Sequence, residues 1–259
     1  MPYVLRLTFV ALLTIFLAVL TIILGLFDPD GKQIYRITRF WAWSILRAGG
    51  VSLKVSWLEH LDPGRAYVFM VNHQSNIDIP ALIQSLPNFQ LRWLAKKELL
   101  WVPFFGWAMW ASKHIVVDRF DRTSALKTLE QAKQRIAAGI SVVVFPEGTR
   151  SRDGRLLPFK KGGFLLAARS GAAIVPVTIN GSGALLPAGA WRLGRGTIEV
   201  TVGKAISVEG FRAGQLSALA DETRQQLAAH LRRPAVAPAS TMTRAGRPTN
   251  ERLLEKQSV

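Results

Sequence analysis

The feature that most constrains this chain is a run of 21 residues, 7–27, that carries no charge. Wound as a helix rising ~1.5 Å per residue, it would be about 32 Å long, a match for the hydrocarbon core of a bilayer. A core helix of a soluble domain is rarely apolar on every face at that length. A cleaved signal peptide fits poorly: the run is too long, only Arg6 precedes it, and no Ala-x-Ala site follows before Asp28-Pro29-Asp30-Gly31. The run is expected to be a retained membrane helix. Lys32, Arg36, Arg39 and Arg47 follow it, and if the helix spans, the positive-inside bias expects the remainder of the chain on the cytoplasmic face. Residues 33–48 carry Ile34, Ile37, Trp41 and Ile45 at helical spacing, with Phe40 and Trp43 beside them. A second, interfacial helix is expected there, so that residues 1–50 form a membrane-anchoring helix pair. A true span and a hairpin dipping into one leaflet are both compatible with this pattern.

From Val51 onward short apolar runs alternate with helical stretches. Strands are expected at 51–57, 66–71, 91–95, 114–118, 141–145, 173–179 and 197–202. Helices are expected at about 79–86, 97–111, 122–138, 160–170 and 214–231. This alternation predicts an α/β domain over 51–231, with a mostly parallel sheet and flanking helices. Pro176 argues that the strand around it is an edge strand or carries a bulge. The stretch Trp101 to Trp110 is dense in aromatics, suiting either a core helix or a surface meeting lipid. Residues 232–259 lose periodicity and are expected to form a disordered basic tail.

The 259 residues hold 33 Lys and Arg against 17 Asp and Glu, a net charge of +16. Such a balance speaks to partners: nucleic acid, an anionic membrane surface or anionic small substrates. The charges are spread along the chain and match no nucleic-acid-binding module, so no nucleic acid is expected. Cysteine is absent, which excludes disulfides, a cysteine nucleophile and Cys-ligated zinc. With four His and neither a His-x3-His nor a His-Glu-x2-His pairing, no metal and no cofactor are expected.

The apolar run 67–71 leads into Asn72-His73-Gln74-Ser75-Asn76-Ile77-Asp78-Ile79-Pro80. It reads as a buried strand delivering His73 into the loop beyond its end, with Asp78 as the N-cap of the next helix. On a continuous helix a spacing of five would separate the two by about 140°. Only a loop that folds back brings the carboxylate to the imidazole. Asp78 would then hold one ring N–H and leave the other nitrogen as a general base. A plain polar contact at a strand end is the alternative. The second buried strand, 142–145, runs into Pro146-Glu147-Gly148-Thr149-Arg150-Ser151-Arg152. Its glycine, hydroxyls and guanidinium forks suit a phosphate monoester, although an ordinary strand-to-helix turn would look similar. A third strand ends at Asp118-Arg119, aiming another guanidinium at the same edge. Two arginines converging from different strand ends favour an anionic substrate. Ser75 lies in no Gly-x-Ser-x-Gly elbow and is a poor nucleophile candidate.

Taken together, these residues resemble the 1-acyl-glycerol-3-phosphate acyltransferases, membrane enzymes that make phosphatidic acid. Four blocks carry the resemblance, in order: His73-x4-Asp78, Lys113 to Arg119, Phe145 to Ser151, and Val175-Pro176-Val177-Thr178-Ile179. It covers about residues 35–205 and implies a glycerolphosphate-acyltransferase-like fold. It also implies that His73 is the base, that Asp78 orients it, and that Arg119, Glu147, Gly148, Thr149 and Arg150 bind the glycerol phosphate headgroup. The implied substrates are lysophosphatidic acid and an acyl thioester, acyl-CoA or acyl carrier protein. Another lysophospholipid, a lyso-ornithine lipid or glycerol-3-phosphate is the alternative acceptor. The reading from a different class is a non-catalytic basic protein bound to membrane lipids. One departure stands out: the glycerolipid enzymes often open the second block with glycine, and this chain has Lys113.

Overall fold

A computed structural model describes residues 3–117, 122–211 and 215–232, with the side chains of 122–126 left out. Arg119 and nearly all of the expected basic tail therefore lie outside the described residues. Seven strands form one sheet: β1 (Val51–Trp57), β2 (Val68–Val71), β3 (Leu91–Lys96), β4 (Ile115–Val117), β5 (Ser141–Val144), β6 (Ile174–Asn180) and β7 (Gly196–Val202). Their order is β1-β7-β6-β2-β5-β3-β4. Every neighbouring pair is parallel except β6 with β7. Five strands thus point one way, and their C-terminal ends share one edge of the sheet.

Alternation along each strand divides the core between the two faces. Phe69, Val71, Val143, Val175 and Val177 pack on one side; Val68, Met70, Val142, Val144 and Ile174 pack on the other. Helices α2 (Lys32–Gly49) and α3 (Asp78–Ser85) contribute to the first cluster. Helices α5 (Arg122–Ala137), α6 (Gly162–Ser170) and α8 (Leu216–His230) contribute to the second. A short helix, α7 (Ser182–Leu185), follows β6.

Two expectations about single elements change. The helix expected over 97–111 is a 3₁₀ turn, Lys97–Trp101, followed by α4 (Phe105–Ala111). Pro103 lacks an amide hydrogen and bars the residue before it from helical geometry. Phe104 accordingly turns the chain at a φ of 61°. Trp101, Trp107 and Trp110 then point outward instead of filling a core. Pro176 sits not on an edge strand but within interior β6, where the bulge half of the expectation applies. The ladder pairs Val177 with Val202 and Ile174 with Ile206, so one side has an extra residue opposite Pro176.

Helix α1 (Tyr3–Gly25) is, among the described residues, the one helix long and apolar enough to cross a membrane. Helix α2 is not a second of that kind: it buries Ile34, Ala42 and Leu46 in the core and exposes Phe40 and Trp43. The body holds α1 along its whole length. At the start, the Tyr3 hydroxyl donates to the Trp191 carbonyl at 2.6 Å and the Arg192 guanidinium lies over the Tyr3 ring. At the middle, Trp41 Nε1 donates to Thr14 Oγ1 at 3.1 Å. At the end, Gly25 packs against Ala111, and Lys113 Nζ donates to the carbonyls of Asp28 and Pro29.

Candidate active site

Strand β2 sits between β5 and β6, so its C-terminal end emerges at the centre of the shared edge. Asn72 extends the pairing with β6 by one side chain: its amide donates to the Ile179 carbonyl at 2.9 Å and accepts the Ile179 N–H at 2.7 Å. This fixes the point at which His73 leaves the sheet.

The loop after His73 folds back. Asp78 Oδ2 lies 2.8 Å from His73 Nδ1, and the N–H groups of Gln74 and Ser75 donate to the same oxygen, each at 2.8 Å. Asp78 is wholly buried. Two backbone donors converging on Oδ2 require an acceptor there, so the ring contact is an Nδ1–H donating to Asp78. Asp78 is the first residue of α3 rather than its N-cap: Ile77 takes that place, and the carboxylate turns back to the loop. The imidazole stacks on Phe145, ring centroids 3.9 Å apart and 15° from parallel. Ser75 Oγ is committed elsewhere, donating to the Leu186 carbonyl at 2.6 Å and accepting from Ile77 N–H.

The β5 loop closes over this turn. Glu147 is buried, and each carboxylate oxygen accepts a backbone N–H, from His73 at 2.9 Å and from Leu157 at 2.9 Å. Burial pushes its carboxyl above the usual range, opposed by those two hydrogen bonds and by the charge of Arg224. Ser151 N–H donates to the His73 carbonyl at 2.7 Å, a second tie between the loops. Gly148 turns at a φ of 71°, with the Lys160 side chain lying against it. Arg150 is braced by Asn76 Oδ1 at 3.0 Å.

His73, Gly148, Thr149 and Arg150 open onto one groove of about 730 Å³. Its walls are mainly apolar: Leu17 and Ala18 of α1, Ile37 and Trp41 of α2, Ile83 of α3, and Ala108 and Met109 of α4. His114 also lines it, accepting the Trp93 N–H. Burial and the Arg92 charge pull His114 down to about 3, so it faces the groove uncharged at neutral pH. The pattern of residues thus brings a base candidate, a hydroxyl and a guanidinium to the mouth of an oily channel. Three contributors carried no role in the sequence reading: Phe145 under the imidazole, Asn76 behind Arg150 and Leu157 beside Glu147. The first two lie inside the motifs, and an aromatic directly preceding Pro-Glu-Gly at a strand end was the available signal for Phe145.

The matched family model is described as Acyltransferase and covers residues 52–180, from β1 through β6. A 1-acyl-sn-glycerol-3-phosphate acyltransferase of Chlamydomonas reinhardtii is 37% identical over 181 residues, 70% of this chain and 53% of that protein. The chain therefore spans about half of its algal relative. The 1-acyl-sn-glycerol-3-phosphate acyltransferase alpha of Ovis aries is 31% identical over 214 residues, 82% of this chain and 74% of that protein. The crystal structure of the 1-acyl-sn-glycerophosphate (LPA) acyltransferase PlsC from Thermotoga maritima superposes with a TM-score of 0.68. That alignment covers 87% of this chain and 93% of that one at 24% identity, a likeness of fold. The family model and the Ovis aries relative, matched over most of both chains, agree: this chain belongs to the 1-acyl-sn-glycerol-3-phosphate acyltransferase family.

Proposed function

We propose that the protein transfers a fatty acyl group from acyl-CoA or acyl carrier protein to the sn-2 hydroxyl of 1-acyl-glycerol-3-phosphate, giving phosphatidic acid. The observation that carries this reading is the 2.8 Å His73–Asp78 pair standing at the polar mouth of an apolar groove. Nε2 of His73 accepts the hydroxyl proton as the acceptor oxygen attacks the thioester carbonyl carbon. The tetrahedral intermediate collapses with cleavage of the carbon–sulfur bond, and the imidazolium returns the proton to the departing thiolate. Asp78 keeps Nδ1 protonated and balances the imidazolium charge as it forms. Arg150, with Thr149 and the Gly148 backbone, takes the phosphate, and Arg119 adds a second guanidinium. Binding the phosphate away from the reacting centre holds the hydroxyl at His73, a proximity gain of several kcal/mol. Glu147, with both oxygens engaged by backbone N–H groups, serves this arrangement by pinning the His73 loop to the β5 loop. The apolar groove accommodates the acyl chain.

The same reading puts the protein on a membrane, with α1 lying in one leaflet. The outward apolar face of α1 and the exposed Trp101, Trp107 and Trp110 support contact with lipid. The basic residues after α1 favour the cytoplasmic face.

Replacing His73 with Ala is expected to lower acyl transfer by about 10²–10⁴-fold, the usual worth of a general base, while vesicle binding is unchanged. The assay offers lysophosphatidate beside a panel of other lysolipids, with one acyl-CoA and one acyl-carrier-protein donor. Undiminished transfer by His73→Ala would refute the mechanism.

A further inference from the structure

A second groove, of about 670 Å³, shares no lining residue with the first. Arg6, Phe9 and Leu13 of α1, Phe40, Trp43 and Arg47 of α2, and Arg195 before β7 form its walls. Helix α2 separates the two grooves: Ile37, Trp41 and Ile45 face the first, whereas Phe40, Trp43 and Arg47 face the second. Three arginines thus line one apolar floor. None of the three has a carboxylate partner among the described residues. Arg47 gains something from the C-terminal end of the α2 dipole, but no such account covers Arg6 or Arg195. Three like charges around a common cavity repel one another unless an anion lies between them. Guanidinium forks match phosphate oxygens in particular.

The apolar floor selects which phosphate. Phe9 lies on the outward face of α1, which also exposes Leu5, Leu12 and Phe16. A molecule can therefore reach the guanidiniums sideways from the bilayer with its chain still in hydrocarbon. Trp43 and Trp191, both exposed, stand near this half of α1, and such aromatics favour the membrane–water interface. A free anion would leave Phe9, Leu13, Phe40 and Trp43 against water.

We propose that this groove is a binding site for an anionic membrane glycerophospholipid. Its phosphate sits among Arg6, Arg47 and Arg195, and its chain lies along Phe9, Leu13, Phe40 and Trp43. The bound lipid offsets part of the charge of the arginine cluster and ties α1, α2 and the segment before β7 together, which sets the pose of α2 and with it the first groove. The site needs contact between α1 and lipid but not the chemistry at His73.

The test is a binding measurement on the full chain in neutral detergent. The protein is offered equal amounts of phosphatidylglycerol and phosphatidylcholine, and retained lipids are counted by native mass spectrometry. The wild type should keep phosphatidylglycerol under activation that strips phosphatidylcholine. Each single variant, R6Q, R47Q or R195Q, should weaken retention about fivefold, and the triple variant on the order of a hundredfold, from the usual worth of a basic side chain at an anionic surface. A charge-matched triple outside the groove, K133Q/R169Q/K204Q, should retain the lipid as the wild type does. Excess inorganic phosphate should leave the lipid in place. Equal retention of both lipids, undiminished retention by the arginine triple, equal loss in the charge-matched control, or displacement by inorganic phosphate would each overturn the proposal.

Discussion

At Lys113 the backbone adopts a φ of 56°, in the left-handed region that L side chains avoid. Glycine, which the family resemblance leads one to expect here, would adopt this turn more easily than lysine. Its compensation is the ammonium, which reaches the carbonyls of Asp28 and Pro29 and ties the connection between α1 and α2 to the sheet. Two variants separate strain from tether. Lys113→Ala loses the tether and keeps the strain; Lys113→Gly loses both. The glycine variant should be the more stable of the two by about 1 kcal/mol, read as a higher thermal midpoint in neutral detergent. Equal midpoints would mean that the turn relaxes without glycine. At this scale the sequence was informative about identity and poor about role. His73 and Asp78 were visible as a pair, yet Asp78 was expected to cap its helix, because an Asp before an apolar turn has that local preference. What redirects it is the pair of N–H groups at Gln74 and Ser75, which leave a buried carboxylate a better set of donors.

Among the elements, α6 shows how closely the helical layer approaches the sheet. A Cβ at Gly163 would lie 2.8 Å from Val144 Cγ1 and 3.0 Å from the terminal methyl of Met70, both buried in strands next to the site. Gly162, one residue earlier, faces open space. Gly163→Ala is expected to cost about 1–3 kcal/mol through overpacking. Gly162→Ala should stabilise by roughly 0.5–1 kcal/mol through lost unfolded-state freedom. Chemical or thermal unfolding of the two variants checks both signs, and a neutral Gly163→Ala would show slack between α6 and the sheet. The positions of the elements were largely legible: each of the seven expected strands lies within two residues of its observed ends. Alternating or continuous apolar runs are local properties and survive into the fold. The apolar spacing of 97–111 predicts one helix, and the structure breaks it at Pro103, whose steric effect is just as local.

For the whole molecule, the arrangement of α1 is decisive. A 23-residue helix is about 35 Å long, and contacts at its start, middle and end all reach the same body. A perpendicular span would carry one end across the bilayer and away from those partners. The absence of cysteine makes the consequence measurable. Single cysteines at Val4 and at Asp30, each in otherwise unchanged protein in sealed vesicles, should react with a membrane-impermeant maleimide from the same side. Reaction from opposite sides would identify a span.

The sequence by itself determined the inventory: an apolar first helix, seven strands in an α/β alternation, and motif residues at the ends of β2 and β5. These follow from near-neighbour periodicity and from residue chemistry, which need no knowledge of distant segments. Tertiary structure alone decided that the loop after β2 folds back on itself. It also put Glu147 behind His73 instead of in the groove and brought α1, α3 and α4 together as walls of one channel. The fold-back is held by contacts within five residues, but the meeting of Glu147 with His73 depends on the place of β2 between β5 and β6, whose partners lie some 70 to 110 residues away in the chain. A contact at that separation leaves no periodic trace in the sequence, because it arises from packing two faces of a sheet to full density.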